Sequence, residues 1–436
     1  MFWEQLRSSF WFLPGAIVLL AVVLALILVQ LDMSLQEKEA LYAEWPMLLG
    51  SGAEGARSLL STVASSMITV AGVVFSITIV ALSLASNQYT SRVLRNFMRD
   101  RVNQSVLGLF VGIFAYCLMV LRTIRGAEET IFVPSLAVFF GLLLAFVGIA
   151  VLIYFIHHIA MSIQAVNILA EVAVECLSAI EQVFPDKIRL PEQENDVPPD
   201  PAAVWSPVAA AANGYLQSFD TATILAFARK HDAVVRVRIA MGDFAVAGSP
   251  MAWVTAPALE NEQIRELAAC FAVGRQRTVE QDPGFGIRQI VDVALKALSP
   301  GINDTTTAVM SIHYLTAILY RLDDRHISSH HCDEDGVLRL ISCGPSYERF
   351  VSDAFDQIRQ SSAGNVAILD ALLDSLDLLA QRAASPKRRQ VLVEQLEMVA
   401  ELAHRTVETA QDRQRLDGRS AGILESLRRK SAGSER

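Results

Sequence analysis

The sequence of 436 residues has few cysteines and lacks the motifs of the common catalytic sites. Its five cysteines are an odd number with no paired spacing, which is typical of a reducing compartment and indicates no disulfide framework. The nucleophile elbow, the phosphate-binding loop, the zincin motif and the dinucleotide fingerprint are all absent from the chain. We therefore expect no enzyme, no catalytic residues and no cofactor.

Charge is also missing from four long apolar runs in the first third of the chain. These runs are Phe10–Leu31, Ser61–Ala85, Ser105–Leu121 and Ile131–Ile156. Each has about the 17–25 residues that a helix needs to cross a hydrocarbon core, and a charged side chain at that depth is costly. The sequence therefore predicts an α-helical, multi-pass membrane protein with four transmembrane helices and the lipid bilayer as a partner.

The loops between the apolar runs differ in charge. Acidic residues outnumber basic ones in Asp32–Leu60, whereas Ser86–Gln104 carries four arginines and a single Asp. Because arginine accumulates on the cytoplasmic side, we expect the second loop inside and both termini in the cytoplasm. The formal net charge of −9 argues against a nucleic-acid partner, which would need a concentrated basic face.

Composition divides the chain into six segments. They are a transmembrane domain (1–160), a cytoplasmic helical stalk (161–189), a Pro-rich acidic linker (190–207), a small α/β, barrel-like module (208–256), a mainly helical cytoplasmic domain (257–412) and a basic polar tail (413–436). The stalk is expected to continue the fourth membrane helix, because residues 158–183 contain no Pro or Gly. Short alternating runs separated by Gly and Pro turns indicate the strands of the module.

Small and hydroxylated side chains form one stripe on the second apolar run, at three- and four-residue steps interrupted by Ile79. The stripe consists of Ser65, Thr69, Gly72, Ser76, Ser83 and Asn87. It fits a tight helix–helix seam, and it also fits the lining of a water-filled path in an oligomer. Arg92, Arg95 and Arg99 follow at its cytoplasmic mouth, where they would attract anions as a ring or anchor the chain to lipid phosphates.

A second close-packing motif lies in the third apolar run. Gly108 and Gly112 form a GxxxG pair, which lets another helix approach closely. Together with the stripe on the second run, this pair predicts more packing surface than a lone bundle can satisfy. We therefore expect self-association into a homo-oligomer with rotational symmetry.

The densest motif of the soluble part is the segment Asp282–Thr305. A Pro-Gly pair ends one helix there, and Asn303 and Asp304 stand at the start of the next, which predicts a helix–turn–helix corner. The same geometry also allows a ligand site. Arg288 and free N–H groups at the helix start would hold an anion, or Asp292 and Asp304 would hold a hard cation.

Four residues of metal-ligating types lie further along the chain. They are His326, His330, His331 and Cys332. Their spacing matches no established zinc pattern, and the segment 333–336 that follows them has the composition of an exposed loop. We therefore expect no metal site.

Three segments carry a resemblance to a known family. They are Phe75–Phe97, Gly242–Gly248 and Ala297–Asp304. With them, the chain resembles the bacterial predicted-membrane-protein family that bears the domain of unknown function 2254. Members of that family often have Pro after the Asn-Asp pair, where this chain has Thr305. The resemblance extends over nearly the whole chain and implies a bacterial inner-membrane protein of this layout, but it implies no activity.

Two functions fit these observations. In the preferred one, a homo-oligomer forms an ion channel lined by the second transmembrane helices, with the cytoplasmic domains as a vestibule or gate and inorganic ions as its cargo. The absence of carboxylates from the second apolar run, and the arginines beyond it, favour anions. In the alternative, the protein is a non-conducting, membrane-tethered sensor or scaffold, whose cytoplasmic domain binds a small ligand, an ion or a partner protein.

Overall fold

The computed structural model of the protein describes residues 11–35, 52–88, 100–125, 132–185, 204–255, 259–327 and 329–433. The chain divides into two compact units, Met1–Asn167 and Ile168–Arg436. The first unit is helical, and the second combines two small sheets with a larger group of helices. This arrangement agrees with the expected helical N-terminal part and a following part that contains both strands and helices.

Four long helices make up the first unit. They are α1 (Phe12–Leu35), α2 (Ala53–Gln88), α3 (Arg101–Thr123) and α4 (Ser135–Ser162). Each is long and apolar enough to cross a membrane, and no further helix of this kind occurs among the described residues. The four spans expected from the charge-free runs are therefore confirmed as candidate membrane helices.

Helix α3 contacts the other three helices, and its glycines bring it close to α1. A Cβ atom on Gly108 would lie 2.8 Å from the Cα of Pro14, and one on Gly112 would lie 3.4 Å from the Cβ of Ala21. The GxxxG pair therefore packs inside the subunit. It adds nothing to the outer surface from which the oligomer was predicted.

Asp32 connects the end of α1 to the start of α4. Its side chain is 1% exposed and accepts hydrogen bonds from the backbone N–H groups of Leu136 and Ala137, at 3.1 and 2.9 Å. The residue preceding α4 is Pro134, which has no side-chain oxygen to cap the helix. Asp32 supplies that cap from another helix, so it is a buried structural group and not part of an exposed acidic loop.

A turn separates α4 from the next helix, α5 (Ala165–Val183), so residues 158–183 do not form the single continuous helix that was expected. The Nδ2 atom of Asn167 donates to the carbonyl oxygen of Met161 at 2.7 Å, and the backbone N–H of Gln164 donates to the same oxygen. These donors use the carbonyl that a continuing helix would bond to residue 165, which ends α4.

The second unit contains two small sheets and two short helices, which follow α5. The elements are β1 (Trp205–Ala209), β2 (Gly214–Phe219), α6 (Thr221–Lys230), β3 (Val234–Val237), β4 (Phe244–Ala245), β5 (Pro250–Thr255), α7 (Asn261–Ala269) and β6 (Phe271–Gly274), with β7 (His330–Cys332) and β8 (Leu338–Ile341) added from further along the chain. The strand orders are β1-β5-β3-β8-β7 and β4-β2-β6, and neither sheet closes into a barrel. The expectation of a barrel-like module is therefore wrong in this respect.

The five-stranded sheet depends on pairing between distant segments. Strand β3 pairs in parallel with β8, so that Val235 lies beside Leu340. Strand β1 starts at Trp205, inside the segment expected to be a linker, and pairs with β5. The inner face of the sheet is fully buried, with Val235, Val254 and Leu340 packed in one core with Ile224 of α6.

Six further helices complete the unit. They are α8 (Pro283–Ala297), α9 (Thr305–Asp323), α10 (Tyr347–Gln360), α11 (Val366–Arg382), α12 (Pro386–Thr406) and α13 (Ala410–Gly433). Helix α13 includes much of the predicted basic tail, and it packs on α11 and α12 through buried residues such as Leu416 and Leu427. Its Arg419 forms ion pairs with Asp370 and Asp374 of α11.

A buried arginine joins the ends of these helices. Arg388, at the start of α12, is 2% exposed and donates hydrogen bonds to the carbonyl oxygens of Leu322, Asp323 and Arg325. Its guanidinium also lies 4.7 Å from the ring centroid of Tyr347. Because these carbonyls lie at and just beyond the C-terminus of α9, a cation is favourable there.

Candidate functional site

The polar stripe on α2 points away from the bundle of its own subunit. The buried residues of α2 share one side of the helix, which includes Ala56, Leu60, Ala64, Met67, Ala71, Val74 and Ala81. With 3.6 residues per turn, the stripe falls about half a turn away from that side. Ser65, Thr69, Gly72, Ser76 and Ser83 are accordingly all exposed.

No helix covers the stripe within the described part of one subunit. A Cβ atom on Gly72 would have no neighbour within 4 Å. A helix seam inside the subunit is therefore not the role of these residues. Asn87 belongs to the last turn of α2, but its side chain lies outside the described residues, as do Arg92, Arg95 and Arg99.

Four hydroxyl groups of α2 donate to backbone carbonyl oxygens of the same helix. Thr69 donates through Oγ1 to the carbonyl oxygen of Ser65 at 2.8 Å, and Thr62, Ser66 and Thr78 make the same bond one turn back. These bonds occupy the hydroxyl hydrogens and leave lone pairs on the oxygens. Of the stripe residues, Thr69 makes this bond, so its hydroxyl oxygen faces outward as an acceptor, beside the small side chains of Ser65, Gly72, Ser76 and Ser83.

The stripe is about as long as the bilayer core is thick. From Ser65 to Ser83 the helix rises by roughly 27 Å, compared with a hydrocarbon thickness of about 30 Å. Large apolar side chains such as Ile68, Phe75 and Ile77 are exposed on either side of it. Lipid-compatible flanks therefore border a strip of small and hydroxylated side chains whose length is close to the thickness of a hydrocarbon core.

The corner between α8 and α9 is built as the Pro-Gly and Asn-Asp pairs predict. Asn303 adopts a left-handed conformation with φ of 51°, and Asp304 caps α9 by accepting from the backbone N–H of Thr307 at 3.0 Å. The hydroxyl of Thr307 also donates to Asp304, and this bond is the main cause of the lowered pKa of the carboxyl group.

The residues proposed from the sequence as a ligand site do not converge at this corner. Arg288 forms an ion pair with Asp292 one turn along α8, with 2.8 Å between Nη2 and Oδ1. Nine residues separate Arg288 from the end of α8, which corresponds to about 13 Å of helix rise. Asn303 and Asp304 lie beyond that end, so the structure does not bring them together with Arg288.

A cavity of about 350 Å³ lies instead at the N-terminal end of α8. Asp282 forms part of its wall, is 6% exposed and caps α8 by accepting from the backbone N–H of Phe285 at 3.1 Å. Arg277 donates to the other carboxylate oxygen through Nε and Nη2, at 3.0 and 2.7 Å. Burial raises the pKa of Asp282, although the neighbouring Arg277 acts in the opposite direction.

The opposite wall of the cavity carries an imidazole, a thiol and hydroxyl groups. His331 lies 3.4 Å from the hydroxyl of Ser342, measured from Nε2 to Oγ, and Cys343 follows. Burial lowers the pKa of His331, which favours the neutral form of its imidazole. Phe184 and Phe219 supply an apolar part of the lining. The cavity can therefore hold a small molecule with an apolar body and a few hydrogen-bonding groups.

Two residues at this cavity, Gly242 and Asp282, lie in motifs that stand out in the sequence. Gly242 has φ of 82°, and a Cβ atom there would overlap the Asp282 carboxylate and lie 2.5 Å from Nε of Arg277. Asp282 begins the segment Asp282–Thr305, which the sequence singled out as its densest motif. Gly242 begins Gly242–Gly248, one of the three segments that carry the family resemblance. No sequence motif indicated that His331 and Ser342 line this cavity, because their positions depend on the pairing of β7 with β8.

The histidines and the cysteine downstream are spread over the β7 hairpin. His330 and His331 are adjacent in β7, so their side chains point to opposite faces of the sheet, and Cys332 is exposed. His326 precedes the strand. Within the described residues, no group of three or more His, Cys, Asp and Glu side chains is close enough to hold a metal ion.

Comparison with known proteins gives the family. The model described as "Predicted membrane protein (DUF2254)" matches residues 7–377. An uncharacterized protein of Mycobacterium tuberculosis is 35% identical over 390 residues, which cover 88% of this chain and 75% of the relative. An uncharacterized protein of Mycobacterium bovis is 35% identical over 392 residues, with the same two coverages. No solved structure matches the chain. The chain therefore belongs to the DUF2254 family of predicted membrane proteins, as the three segments indicated.

Proposed function

We propose that the protein is a homo-oligomeric ion channel of the bacterial inner membrane in which the α2 helices surround a common axis. The observation that carries this proposal is the exposed stripe of small and hydroxylated side chains on α2. Contact with lipid tails gives such a surface no stabilisation, whereas close packing of another helix or hydrogen bonds to water would stabilise it. Rotational symmetry would place one stripe from each subunit at the axis.

The same arrangement leads to a proposal for ion selectivity. The run Ser61–Ala85 contains no carboxylate, so the acidic ring typical of cation-selective pores is missing from this part of the path. The first charges beyond it are Arg92, Arg95 and Arg99. With the arginine-rich loop in the cytoplasm and both termini inside, these residues form the inner mouth of the channel and favour anions.

Substitution of Gly72 tests the oligomer and the path together. Gly72→Leu adds a side chain where the subunit has open space, so the fold of the monomer is retained. We expect light scattering in detergent to give a smaller mass for the variant than for the wild-type oligomer, or a planar bilayer to show a loss of its conductance. Gly15→Leu is the matched control, because Gly15 of α1 also has no neighbour within 4 Å of a Cβ. A wild-type monomer, or equal behaviour of the two variants, would contradict the proposal.

A second candidate function is that of a non-conducting sensor in which the soluble unit binds a small molecule. The cavity lined by Asp282 and His331 favours it, because a concave space with a few polar groups is typical of ligand sites. A stable oligomer that gives no current in a bilayer would support this candidate. A ligand found by a thermal-shift screen should then lose its effect in His331→Ala.

A further inference from the structure

The outer face of the five-stranded sheet carries an open groove of about 520 Å³, which shares only Ser342 and Cys343 with the lining of the cavity beside Asp282. Its main side chains are two tryptophans and two arginines. Arg236 of β3 lies directly opposite Trp253 of β5, and on its other side it lies beside Ile341 of β8. Directly paired residues share one face of a sheet, so these three side chains form a continuous surface.

The aromatic part of this groove comes from two adjacent strands. Trp253 is opposite Pro207 of β1, and Trp205 lies two residues earlier on β1, on the same face. The two indoles are therefore diagonal neighbours, with about 7–8 Å between their backbones. Both are partly exposed, so their rings are accessible from solvent. They form a platform on which a planar ring can stack.

No carboxylate of the described residues neutralises the charged part of the groove. Arg236 is exposed and has no ion pair or hydrogen bond from its guanidinium to any described residue, and Arg238 makes only a 3.4 Å bond to the carbonyl of Pro250. Among the residues that the structure describes, no Asp or Glu lines the groove, although the chain as a whole has a formal net charge of −9. By contrast, the guanidinium of Arg339 in the same sheet pairs with two carboxylates.

We propose that this groove binds a nucleoside phosphate, with its base against Trp205 and Trp253 and its phosphate at Arg236 and Arg238. Guanidinium groups bind phosphate through paired N–H donors, and indole rings stack on bases irrespective of their identity. The volume is that of a small-molecule site. The strongly acidic chain disfavours a long nucleic acid, so a single soluble nucleotide is the occupant. This inference does not depend on the channel.

Calorimetric titration of the full-length protein in detergent tests the assignment, with adenosine monophosphate as the probe. Adenosine, inorganic phosphate and glycerol 3-phosphate are the comparison ligands, because each lacks either the phosphate or the ring. We expect adenosine monophosphate to bind at least tenfold more tightly than any of the three. Glycerol 3-phosphate represents the headgroup chemistry of lipids and separates that source of phosphate from nucleotides.

Variants locate the site and control for folding. Arg236→Ala should weaken adenosine monophosphate at least tenfold, and Arg236→Lys should weaken it less, because the charge is kept but the paired donors are lost. Trp253→Leu should weaken the nucleotide while leaving inorganic phosphate unchanged. Arg265→Ala, at an exposed position of α7 outside the groove, is the matched control and should bind normally.

Several results would overturn the proposal. They are the absence of adenosine monophosphate binding, equal binding by Arg236→Ala and Arg265→Ala, and equal affinity for glycerol 3-phosphate and adenosine monophosphate. The last result would assign the arginines to a phosphate alone and leave no role for the tryptophans. Arg236 is exposed and its guanidinium makes no ion pair or hydrogen bond to a described residue, so Arg236→Ala should retain the fold, and the far-UV circular dichroism of the variant should match that of the wild type.

Discussion

Asp323 gives a prediction for the pH dependence of stability. This carboxyl group is 2% exposed at the end of α9, and burial raises its pKa from the ordinary 3.8 to about 6, although the nearby Arg388 acts in the opposite direction. Between these two pH values the folded chain keeps a proton that the unfolded chain has released. The free energy of unfolding should therefore fall as the pH rises from about 4 to about 7.

The size of the effect follows from the difference in pKa. At about 1.4 kcal/mol per unit, the decrease from this one group reaches roughly 3 kcal/mol. Asp323→Asn removes the titration and keeps an oxygen that accepts from the backbone N–H of Ala384, a bond of 2.9 Å in the wild type. We expect the variant to be more stable than the wild type at pH 7, by up to about 3 kcal/mol, and similar to it near pH 4.

Denaturant unfolding of the full chain in detergent, followed at several pH values, measures this difference. Other groups titrate over the same range, so the informative quantity is the wild-type value minus the Asp323→Asn value at each pH. The reasoning is refuted if that difference does not change between pH 4 and pH 7, or if the variant is less stable than the wild type at pH 7.

Three further predictions concern packing and capping. Gly108→Ala should destabilise the bundle by about 1–3 kcal/mol, because its Cβ would lie 2.8 Å from Pro14; a detergent unfolding midpoint equal to that of the wild type would contradict this. Asp32→Ala should lower the thermal midpoint by leaving two N–H groups of α4 unsatisfied, of which the buried one of Ala137 costs about 1–3 kcal/mol and the part-buried one of Leu136 less, whereas Asp32→Asn should cost less than Asp32→Ala. Gly242→Ala should increase the protease sensitivity of the soluble unit, because the added methyl group meets Asp282 in a positive-φ turn; an unchanged cleavage rate would argue against it.

The sequence predicted features that depend on neighbouring residues. Charge-free runs located the four candidate membrane helices, because the cost of a charge in lipid applies to each segment alone. The Pro-Gly and Asn-Asp pairs predicted the corner before Thr305, because helix ends are set by local backbone geometry and capping. The family was also identified from three short segments, and the match to residues 7–377 confirms it.

The remaining features depend on contacts between distant residues. The break after Ser162 arises from a side-chain bond of Asn167, which competes with an otherwise helical pattern. The β3–β8 pairing joins segments about a hundred positions apart. A local alternation of apolar and polar residues therefore could not predict the wall of the cavity or the edge of the groove on the outer face of the sheet. The sequence also did not determine whether the α2 stripe faces the bundle of its own subunit or the outside, because periodicity identifies a face of a helix without showing what packs against it.

The central claim is that the α2 stripe meets water at the axis of an ion-conducting oligomer. It is tested most directly by the current through Ser76→Cys channels in a planar bilayer, before and after a charged, thiol-specific methanethiosulfonate reagent is added. We expect the reagent to change the current of Ser76→Cys. It should leave unchanged the currents of the wild type and of Ile77→Cys, whose side chain lies on the apolar flank. No current in any of the three, or the same response from Ser76→Cys and Ile77→Cys, would contradict the claim.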